Sequence, residues 1–402
     1  MNPLLSALQP YPFERLRQLF ATVTPPTDRA HISLGIGEPK HATPEFIKTA
    51  LKASLDTALS GYPATAGELR MREACGQWLQ RRYRIEIQPS TQILPVNGSR
   101  EALFSLAQAV LDPTQKGARV VSPNPFYQIY EGASLLGGAE PYYVANSPEN
   151  DFSADWQTVP EDVWRATQLV FVCSPGNPTG KIMPLAEWQT LLALSEKYGF
   201  VIASDECYSE IYLNETSPPL GGVQAAYQLG RTDYKNLMCF SSLSKRSNVP
   251  GMRSGFVAGD ARLIAKFLLY RTYHGSALSP VVSTASIAAW NDEAHVIDNR
   301  QQYRAKFDAV LPILQPVLDV KRPDASFYLW AGTPGPDPEF VRDLLAQTAV
   351  TVLPGSYVGR TVDGVNPGQN RIRIALVAPL ADCVEAAHRL ASFVQKNFKK
   401  GA

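Results

Sequence analysis

The chain of 402 residues carries 38 Lys and Arg against 37 Asp and Glu, a formal net charge of +1 at pH 7. That balance provides neither the basic face of a nucleic-acid-binding protein nor an acidic tail. No apolar run is long enough to cross a bilayer, and the first residues lack the basic and apolar regions of a signal peptide. We therefore expect a cytoplasmic protein that contacts neither nucleic acid nor a membrane, with room for two or three domain-sized units.

The cysteines and histidines are too scattered to form disulfides or a metal site. Five cysteines is an odd number, and most lie inside apolar runs, which is typical of reduced core cysteines. No two of the five histidines stand at the spacing of zinc ligands. The sequence predicts no bound metal.

The predicted elements begin with an N-terminal arm. Several prolines and the charged, apolar stretch 13–23 indicate an arm with one helix, and we assign residues 1–42 to this arm and to part of a small domain. Over residues 43–280 strands alternate with helical patterns, which is typical of a mostly parallel sheet with helices on both faces. These residues are predicted to form the large domain of an α/β fold.

The C-terminal part, residues 281–402, is predicted to be a smaller α+β domain. It is rich in helical patterns up to residue 318 and ends in a helical pattern over 382–398. Between them, residues 326–330 and 371–377 have the composition of strands.

A strand, a glycine, a serine and a helix follow one another in residues 93–111. This order is how a phosphate is bound by the free N–H groups at a helix start. Gly98, Ser99 and the backbone of Arg100 are the expected donors. An ordinary capped helix explains the pattern equally well if it is taken alone.

Two further strands of the large domain lead into loops with proline. Tyr127 follows the strand that starts at Val120, and its ring is placed to stack on a planar ligand. Asn177 lies in the Pro- and Gly-rich loop after the apolar run 169–173, where it offers an amide at the strand end. The glycines that precede Lys181 do not make a nucleotide-binding loop, because their spacing is short and Ile182 replaces the required Ser or Thr.

The apolar run 200–204 delivers Asp205 to the end of a strand, with Tyr208 three positions later. Taken alone, such an aspartate is more often the N-cap of a helix. Its position forty residues before Lys245 changes that interpretation, because Lys245 follows another strand.

The most informative segment is the strand 236–240 followed by Ser242, Ser244 and Lys245, with Arg253 eight residues further on. Ligands bind at the carboxyl ends of strands in open α/β sheets. A lysine there, near hydroxyls and a guanidinium, suits a Schiff base to an aldehyde cofactor that carries a phosphate. A carboxylate such as Asp205 then suits the ring nitrogen of pyridoxal phosphate, which it keeps protonated.

Together these segments resemble the class I and II aminotransferases, which are pyridoxal-phosphate enzymes of fold type I. The resemblance runs from Gly37 to Arg373 in the order and spacing of that family. It implies that Lys245 is the Schiff-base lysine and that Asp205 is the partner of the pyridine nitrogen. The remaining implied cofactor contacts are Tyr208 and Asn177 at the ring oxygen, Tyr127 stacked on the ring, and Ser99, Arg100, Ser242, Ser244 and Arg253 around the phosphate.

The same resemblance implies the substrate contacts and the assembly. Arg373 matches the arginine that binds the substrate α-carboxylate, and Gly37 matches the glycine beside it. Tyr62 matches a tyrosine that reaches the phosphate of the neighbouring subunit, which implies a homodimer with shared active sites. The expected small-molecule partners are an amino donor and a 2-oxo acid.

The freed amine of Lys245 is expected to move the proton between the substrate Cα and the cofactor. A lyase or synthase on the same fold stays open, because the cofactor site alone does not fix which bond breaks. A non-enzymatic regulator is disfavoured, since Lys245, Asp205 and Arg373 are all present.

The likeness extends to one subgroup, the N-succinyldiaminopimelate aminotransferases of the bacterial lysine pathway. Residues 34–41, 270–280 and the opening 2–13 carry it. Most class I and II relatives have Asp and Phe where this chain has Lys40 and His41, so Lys40 is either a substrate contact or a surface residue. Lys40 and Arg271 are the candidate cations for carboxylates far down the substrate side chain. An aspartate or aromatic aminotransferase is the alternative.

Overall fold

The computed structural model describes residues 1–398. The helices are α1 (Pro12–Leu19), α2 (Glu45–Ala58), α3 (Leu69–Tyr83), α4 (Pro89–Gln92), α5 (Ser99–Val110), α6 (Ile129–Leu136), α7 (Glu161–Ala166), α8 (Leu185–Tyr198), α9 (Gly222–Gln228), α10 (Leu243–Arg246), α11 (Ala261–His274), α12 (Pro280–Asn291), α13 (Ala294–Leu314), α14 (Asp337–Thr348) and α15 (Leu380–Phe398). The strands are β1 (Ile32–Ser33), β2 (Ile93–Val96), β3 (Arg119–Asn124), β4 (Glu140–Ala145), β5 (Thr167–Cys173), β6 (Val201–Asp205), β7 (Leu237–Ser242), β8 (Gly255–Gly259), β9 (Tyr328–Gly332), β10 (Val350–Thr351), β11 (Leu353–Pro354) and β12 (Arg371–Ala375).

A seven-stranded sheet forms the centre of the large part of the molecule, in the order β2-β8-β7-β6-β5-β3-β4. All its strands run parallel except β8, which is antiparallel to both of its neighbours. The residues of β6 and β7 are buried along their whole length, as expected for strands covered on both faces. The predicted α/β fold with a mostly parallel sheet is confirmed.

The two faces of this sheet are packed by different sets of aromatic residues. On one face Trp78 of α3 contacts Trp290 and Phe256, with ring centroids 4.9 and 5.9 Å away. On the other face Tyr130 of α6 stacks on Phe171 of β5 at 4.6 Å. Since each of these rings is buried, truncation of Trp78 to alanine should cost about 3–5 kcal/mol.

A second, smaller sheet lies in the C-terminal part. It has three antiparallel strands in the order β11-β12-β9. Near it, β1 pairs in parallel with β10, and Ile32 lies opposite Val350. This pairing supports the assignment of part of residues 1–42 to the smaller unit, and the domain boundaries at residues 42 and 280 stay predictions.

The first helix is shorter than the predicted stretch 13–23. It begins at Pro12, whose fixed φ suits the first turn, and ends at Leu19. Thr22, Val23 and Thr24 precede two prolines, and β-branched residues before proline disfavour the helix. Within residues 1–398, no helix is both long and apolar enough to span a membrane.

The sheet brings several strand ends to one edge. Cys173 at the end of β5 pairs with Asp205, the last residue of β6. Ser242 at the end of β7 and Val96 at the end of β2 both pair with Gly255. Because β8 is reversed, it starts at the edge where the other strands end. Residues far apart in sequence therefore meet at a single edge, where α/β proteins bind ligands.

Candidate active site

A cavity of about 560 Å³ lies at this edge, between the large sheet, the N-terminal arm and the smaller sheet. Its size is within the range of small-molecule sites. Most of the residues predicted from the sequence line it: Gly37, Ser99, Arg100, Tyr127, Asn177, Asp205, Tyr208, Ser242, Ser244, Lys245, Arg253 and Arg373.

Lys245 lies on the short helix α10 directly after β7, and its amine reaches into the cavity. Nζ donates a hydrogen bond to the carbonyl oxygen of Gly37 at 2.6 Å. Burial lowers the pKa of Lys245 to about 8, an effect that Cys207 and Glu38 oppose and Arg373 and Arg253 reinforce. At neutral pH a usable fraction of this amine is therefore uncharged, which nucleophilic attack on a carbonyl requires.

Asp205 is buried at the end of β6, and two donors hold its carboxylate. The Tyr130 hydroxyl donates to Oδ2 at 2.9 Å, and the backbone N–H of Cys207 donates to Oδ1 at 3.3 Å. Burial raises the pKa of Asp205, while these hydrogen bonds lower it. A cationic group placed against this carboxylate would favour its ionised form.

The end of the cavity next to α5 is rich in donors. Arg253 has a left-handed backbone (φ 51°), and a Cβ at Gly98 would overlap its guanidinium. Gly98 was expected to donate its N–H to the phosphate; in the single chain that N–H bonds the Val96 carbonyl at 2.8 Å, and the phosphate contact stays a prediction. Gly98 leaves space for Arg253, and Ser99 begins the helix.

A thiol lies among the hydroxyls at this end. Cys207 Sγ is 2.8 Å from Ser99 Oγ and accepts from Ser242 Oγ at 3.6 Å. The thiol therefore joins the end of β7 to the start of α5, and it contacts two of the predicted phosphate ligands.

Arg373 of β12 enters the cavity from the smaller sheet. Its Nη1 donates to Oδ1 of Asn177 at 2.9 Å and its Nη2 donates to the Gly35 carbonyl at 2.8 Å. Its Nε is buried without a partner among the described residues. Arg371, two positions earlier, instead approaches Asp319 at 3.6 Å and lies over the Phe152 ring.

Tyr208 and Tyr328 share a hydrogen bond of 2.8 Å between their hydroxyls. Burial raises the pKa of Tyr208 well above its usual value, so its hydroxyl keeps its proton. A Cβ at Gly37 would overlap the Tyr328 hydroxyl, so only glycine fits there. This contact gives a steric reason for the glycine next to the cavity.

Three predicted site residues are not among those that line the cavity of the single chain: Gly98, described above, Lys40 and Tyr62. Lys40 is half exposed and forms an ion pair with Glu38 at 3.1 Å, and Glu38 itself lines the cavity. Tyr62 is fully exposed beside a separate depression that includes Leu278. The role of Tyr62 toward a neighbouring subunit stays a prediction.

Arg271 was a candidate for binding distal carboxylates, and this prediction is wrong. Its side chain is completely buried on α11, and Nη1 donates to both carboxylate oxygens of Glu101 at 2.7 and 3.0 Å. The Arg271–Glu101 ion pair lies inside the fold. Helix α5 starts at Ser99, and this places Glu101, in its first turn, against α11.

Sequence reasoning missed Tyr130, Cys207, Tyr328 and Tyr11. Tyr130 and Cys207 each follow a predicted ligand closely, so the loops after β3 and β6 carried some signal. Tyr328 lies in the predicted strand 326–330, and nothing in the pattern of residues of that strand indicated a functional role. Tyr11 lines the cavity from the arm, with the Arg100 guanidinium over its ring at 5.4 Å.

The fold and this set of side chains are those of an aminotransferase, and the chain belongs to the aminotransferase class I and II family, whose model matches residues 29–390. Members of this family depend on pyridoxal phosphate. The predicted family and cofactor are thereby confirmed.

Individual relatives cover almost the whole chain. A solved aminotransferase structure from Neisseria meningitidis Z2491 is 54% identical, with a TM-score of 0.95, over 98% of this chain and 100% of that one. An LL-diaminopimelate aminotransferase of Nitratidesulfovibrio vulgaris strain DP4 is 32% identical over 96% of this chain and 97% of that protein. The probable N-succinyldiaminopimelate aminotransferase of Thermus thermophilus is 26% identical, with a TM-score of 0.81, over 90% of this chain and 95% of that one.

The residues present fit pyridoxal phosphate. The cavity offers a buried carboxylate for a ring nitrogen, hydroxyls and a guanidinium for a phosphate, and an amine of lowered pKa for an aldehyde. Asp205, Ser99 with Arg253, and Lys245 are these groups. The absence of a side chain at Gly98 lets the Arg253 guanidinium lie against the start of α5, beside Ser99.

Proposed function

We propose that this aminotransferase transfers the amino group of N-succinyl-L,L-2,6-diaminopimelate to 2-oxoglutarate, giving N-succinyl-2-amino-6-oxopimelate and glutamate. Lysine and diaminopimelate biosynthesis in the cytoplasm is the setting proposed with it. The observation that carries the proposal is the cavity, which Arg373 lines while bonded to Asn177, and which the charged residues Glu38 and Arg100 also line.

Asp205 would hold the ring nitrogen of the cofactor, with Tyr130 fixing the carboxylate. Ser99, Ser242, Ser244, Arg253 and the backbone N–H of Arg100 would bind its phosphate, Tyr127 would stack on its ring, and Asn177 and Tyr208 would contact its ring oxygen. When bound, pyridoxal phosphate supplies an aldehyde for amines and a ring that withdraws electrons from the substrate Cα.

Lys245 is the proposed acid–base residue. Its amine would hold the cofactor between turnovers. Once the substrate amine has replaced it, Nζ would take the proton from the substrate Cα and deliver it to the cofactor. The lowered pKa of Lys245 suits this work, because an uncharged amine is a base near neutral pH. Gly37, whose carbonyl accepts from Nζ, orients the amine.

Arg373 is proposed to bind the α-carboxylate of donor and acceptor alike. Its Nε has no partner among the described residues, and its other nitrogens are held by Asn177 and Gly35, so the guanidinium is fixed before substrate arrives. Arginine binds a carboxylate through two parallel hydrogen bonds, which sets the orientation of Cα above the cofactor.

The distal groups of the donor must be recognised at the cavity mouth. The acylated donor carries two distal carboxylates and no distal ammonium. The proposed cations are Arg100, which lines the cavity, and Lys40, which is paired with the cavity residue Glu38. A well-made contact of this kind contributes about 1.5–3 kcal/mol.

A second candidate donor is LL-diaminopimelate itself, which the names of the relatives in Nitratidesulfovibrio and Aquifex favour. Its distal end carries an ammonium beside a carboxylate. The Glu38 carboxylate lines the cavity and is paired with Lys40, so this ion pair matches such a zwitterionic end.

A donor-by-acceptor screen on the purified protein separates these candidates. We expect N-succinyl-L,L-diaminopimelate with 2-oxoglutarate to give the highest kcat/KM, and Lys40→Met to raise KM for this donor more than for glutamate. A preference for LL-diaminopimelate that Glu38→Gln abolishes would establish the second candidate. A wide preference for aspartate or aromatic donors contradicts both, and turnover without a 2-oxo acid would indicate a lyase.

A homodimer with shared active sites belongs to the same proposal. Its support is Tyr62, which is fully exposed and makes no contact with the cavity of its own chain. Mixing Tyr62→Phe with Lys245→Ala subunits should give hybrids that keep one intact site. Full activity of a monomer measured by light scattering would contradict it.

A further inference from the structure

A chain of partly buried hydrogen bonds connects Lys306 of α13 to the backbone of Lys245. Lys306 Nζ donates to His41 Nε2 at 2.7 Å, and His41 Nδ1 bonds Asn299 Oδ1 at 2.7 Å. Asn299 Nδ2 in turn donates to the carbonyl oxygen of Lys245 at 3.2 Å. Lys306 and Asn299 are 2% and 1% exposed, and the His41 ring between them is partly buried.

The direction of every bond in this network follows from Lys306. An ammonium only donates, so His41 Nε2 must accept, and the proton of the neutral ring lies on Nδ1. Asn299 Oδ1 therefore accepts from His41, and it also accepts from Asn248 Nδ2 at 3.1 Å. With its oxygen held by two donors, the amide of Asn299 can only present its nitrogen to Lys245.

The loop that carries His41 acts on both the side-chain amine and the main-chain carbonyl of Lys245. Gly37 of this loop accepts the hydrogen bond from the Lys245 amine at 2.6 Å, and His41 acts through Asn299 on the main-chain carbonyl. Thr43 adds a third contact, because its hydroxyl donates to the carbonyl of Asn248 at 3.0 Å. The turn that follows Lys245 is thus fixed by one segment of the arm.

The charge of Lys306 has no carboxylate in contact with it among the described residues. Its other neighbours are the Val377 carbonyl at 3.4 Å and the Tyr303 ring at 5.0 Å. Cys383 of α15 and Asp298 of α13 are the nearest titratable groups that act on Lys306 and His41. Burial lowers the pKa of both Lys306 and His41, so the pair shares a single positive charge.

We propose that His41 and Lys306 are positioning residues, which fix the Asn299 amide and through it the backbone of Lys245. This inference rests on the proposed role of Lys245 as the cofactor lysine. A buried pair kept only for the stability of the fold is the alternative, and the two differ in what happens when both polar groups are removed together.

The test uses a double variant of the holoenzyme. His41→Phe keeps an aromatic ring against Tyr303 but leaves the Lys306 ammonium unpaired, so it should lower the unfolding temperature. His41→Phe combined with Lys306→Met removes both polar groups and should restore that temperature. The pH midpoint of the absorbance of the bound cofactor should nevertheless stay shifted by about half a unit or more.

Two comparisons complete the cycle. Asn299→Leu alone should shift the midpoint by the same amount as the double variant. Combined with the double variant, Asn299→Leu should cause no further shift, because His41 and Lys306 act through the Asn299 amide. Tyr303→Phe removes a buried hydroxyl that has no partner among the described residues, and it should leave the midpoint unchanged. In the double variant we expect kcat to fall about tenfold with KM within about twofold.

Recovery of both unfolding temperature and midpoint in the double variant would overturn the inference, as would an unshifted midpoint in His41→Phe. Failure of the proposed function is recognised separately: borohydride would then fix the cofactor to a residue other than Lys245. Because the double variant has no unpaired buried charge, it keeps the test decisive even if the single variant does not fold.

Discussion

Two buried lysines differ in their access to the cavity, although burial affects the pKa of both in the same direction. Burial lowers the pKa of both Lys245 and Lys306 to about 8. Lys245 faces a cavity of about 560 Å³, whereas Lys306 is 2% exposed and contacts an imidazole. A perturbed pKa alone therefore does not identify the catalytic amine.

The buried arginines repeat the contrast. Arg373 lines the cavity and is held by two neutral oxygens, with no carboxylate against it among the described residues, so its charge is available to a ligand. Arg271 is bound by both oxygens of Glu101 inside the fold. The cavity cations are available for ligands, and the interior cations are neutralised or shielded by the protein itself.

The largest expected difference is between the two lysines. Lys245→Ala should lower turnover by more than about 10³-fold, because the anchor and the acid–base group are both lost. The protein should still bind pyridoxal phosphate non-covalently. Lys306→Met should retain covalent attachment. Borohydride reduction followed by peptide mapping checks the site, and a labelled peptide without Lys245 would contradict it.

Substitution of Arg373 should affect substrate binding, whereas substitution of Arg271 should affect the stability of the fold. Arg373→Met should reduce kcat/KM for all amino donors by about 10- to 150-fold, the equivalent of one charge-assisted bond of about 1.5–3 kcal/mol. Arg371→Met on the same strand is the matched control, with little effect expected on kcat/KM.

Arg271→Met should instead destabilise the fold by about 3–5 kcal/mol, since it leaves Glu101 uncompensated. Urea unfolding measures this change. A large rise in KM for Arg271→Met without loss of stability would remove the distinction between the two arginines.

The smallest effect is a slope of stability against pH. In the folded protein without cofactor, Lys245 and Lys306 titrate with a pKa of about 8, against an ordinary value of 10.5. Between these pH values the unfolded chain binds more protons, so the unfolding free energy should rise with pH from about 8 to about 10.5. Lys245→Met and Lys306→Met should each flatten this rise, as measured by urea unfolding at several pH values.

The strand ends were predictable, because Asp205 ends a buried apolar run and Asn177 and Lys245 follow such runs within four residues. Tyr130 was not predictable as a ligand of Asp205, because 75 residues separate them and only the packing of α6 on the sheet brings them together. Nor was Lys306, since a lysine in a polar helical stretch is usually exposed.

Arg271 shows the opposite error. Its position in the segment 270–280, which carries the likeness to the N-succinyldiaminopimelate subgroup, suggested a ligand, but Glu101 lies 170 residues earlier in sequence and neutralises it. Such a pairing depends on how α5 and α11 meet, which local pattern does not specify.

The reversed strand β8 has a consequence for the order in which the protein is assembled during synthesis. The pocket for the cofactor combines residues 98–99, 205 and 245 with residue 253, and β2 joins the sheet only through β8. The proposed carboxylate-binding side adds residue 373, which bonds residue 35, and residues 35–37 are synthesised first. Since chains fold as their segments become available, a ribosome-bound chain acquires its cofactor half more than a hundred residues before its substrate half.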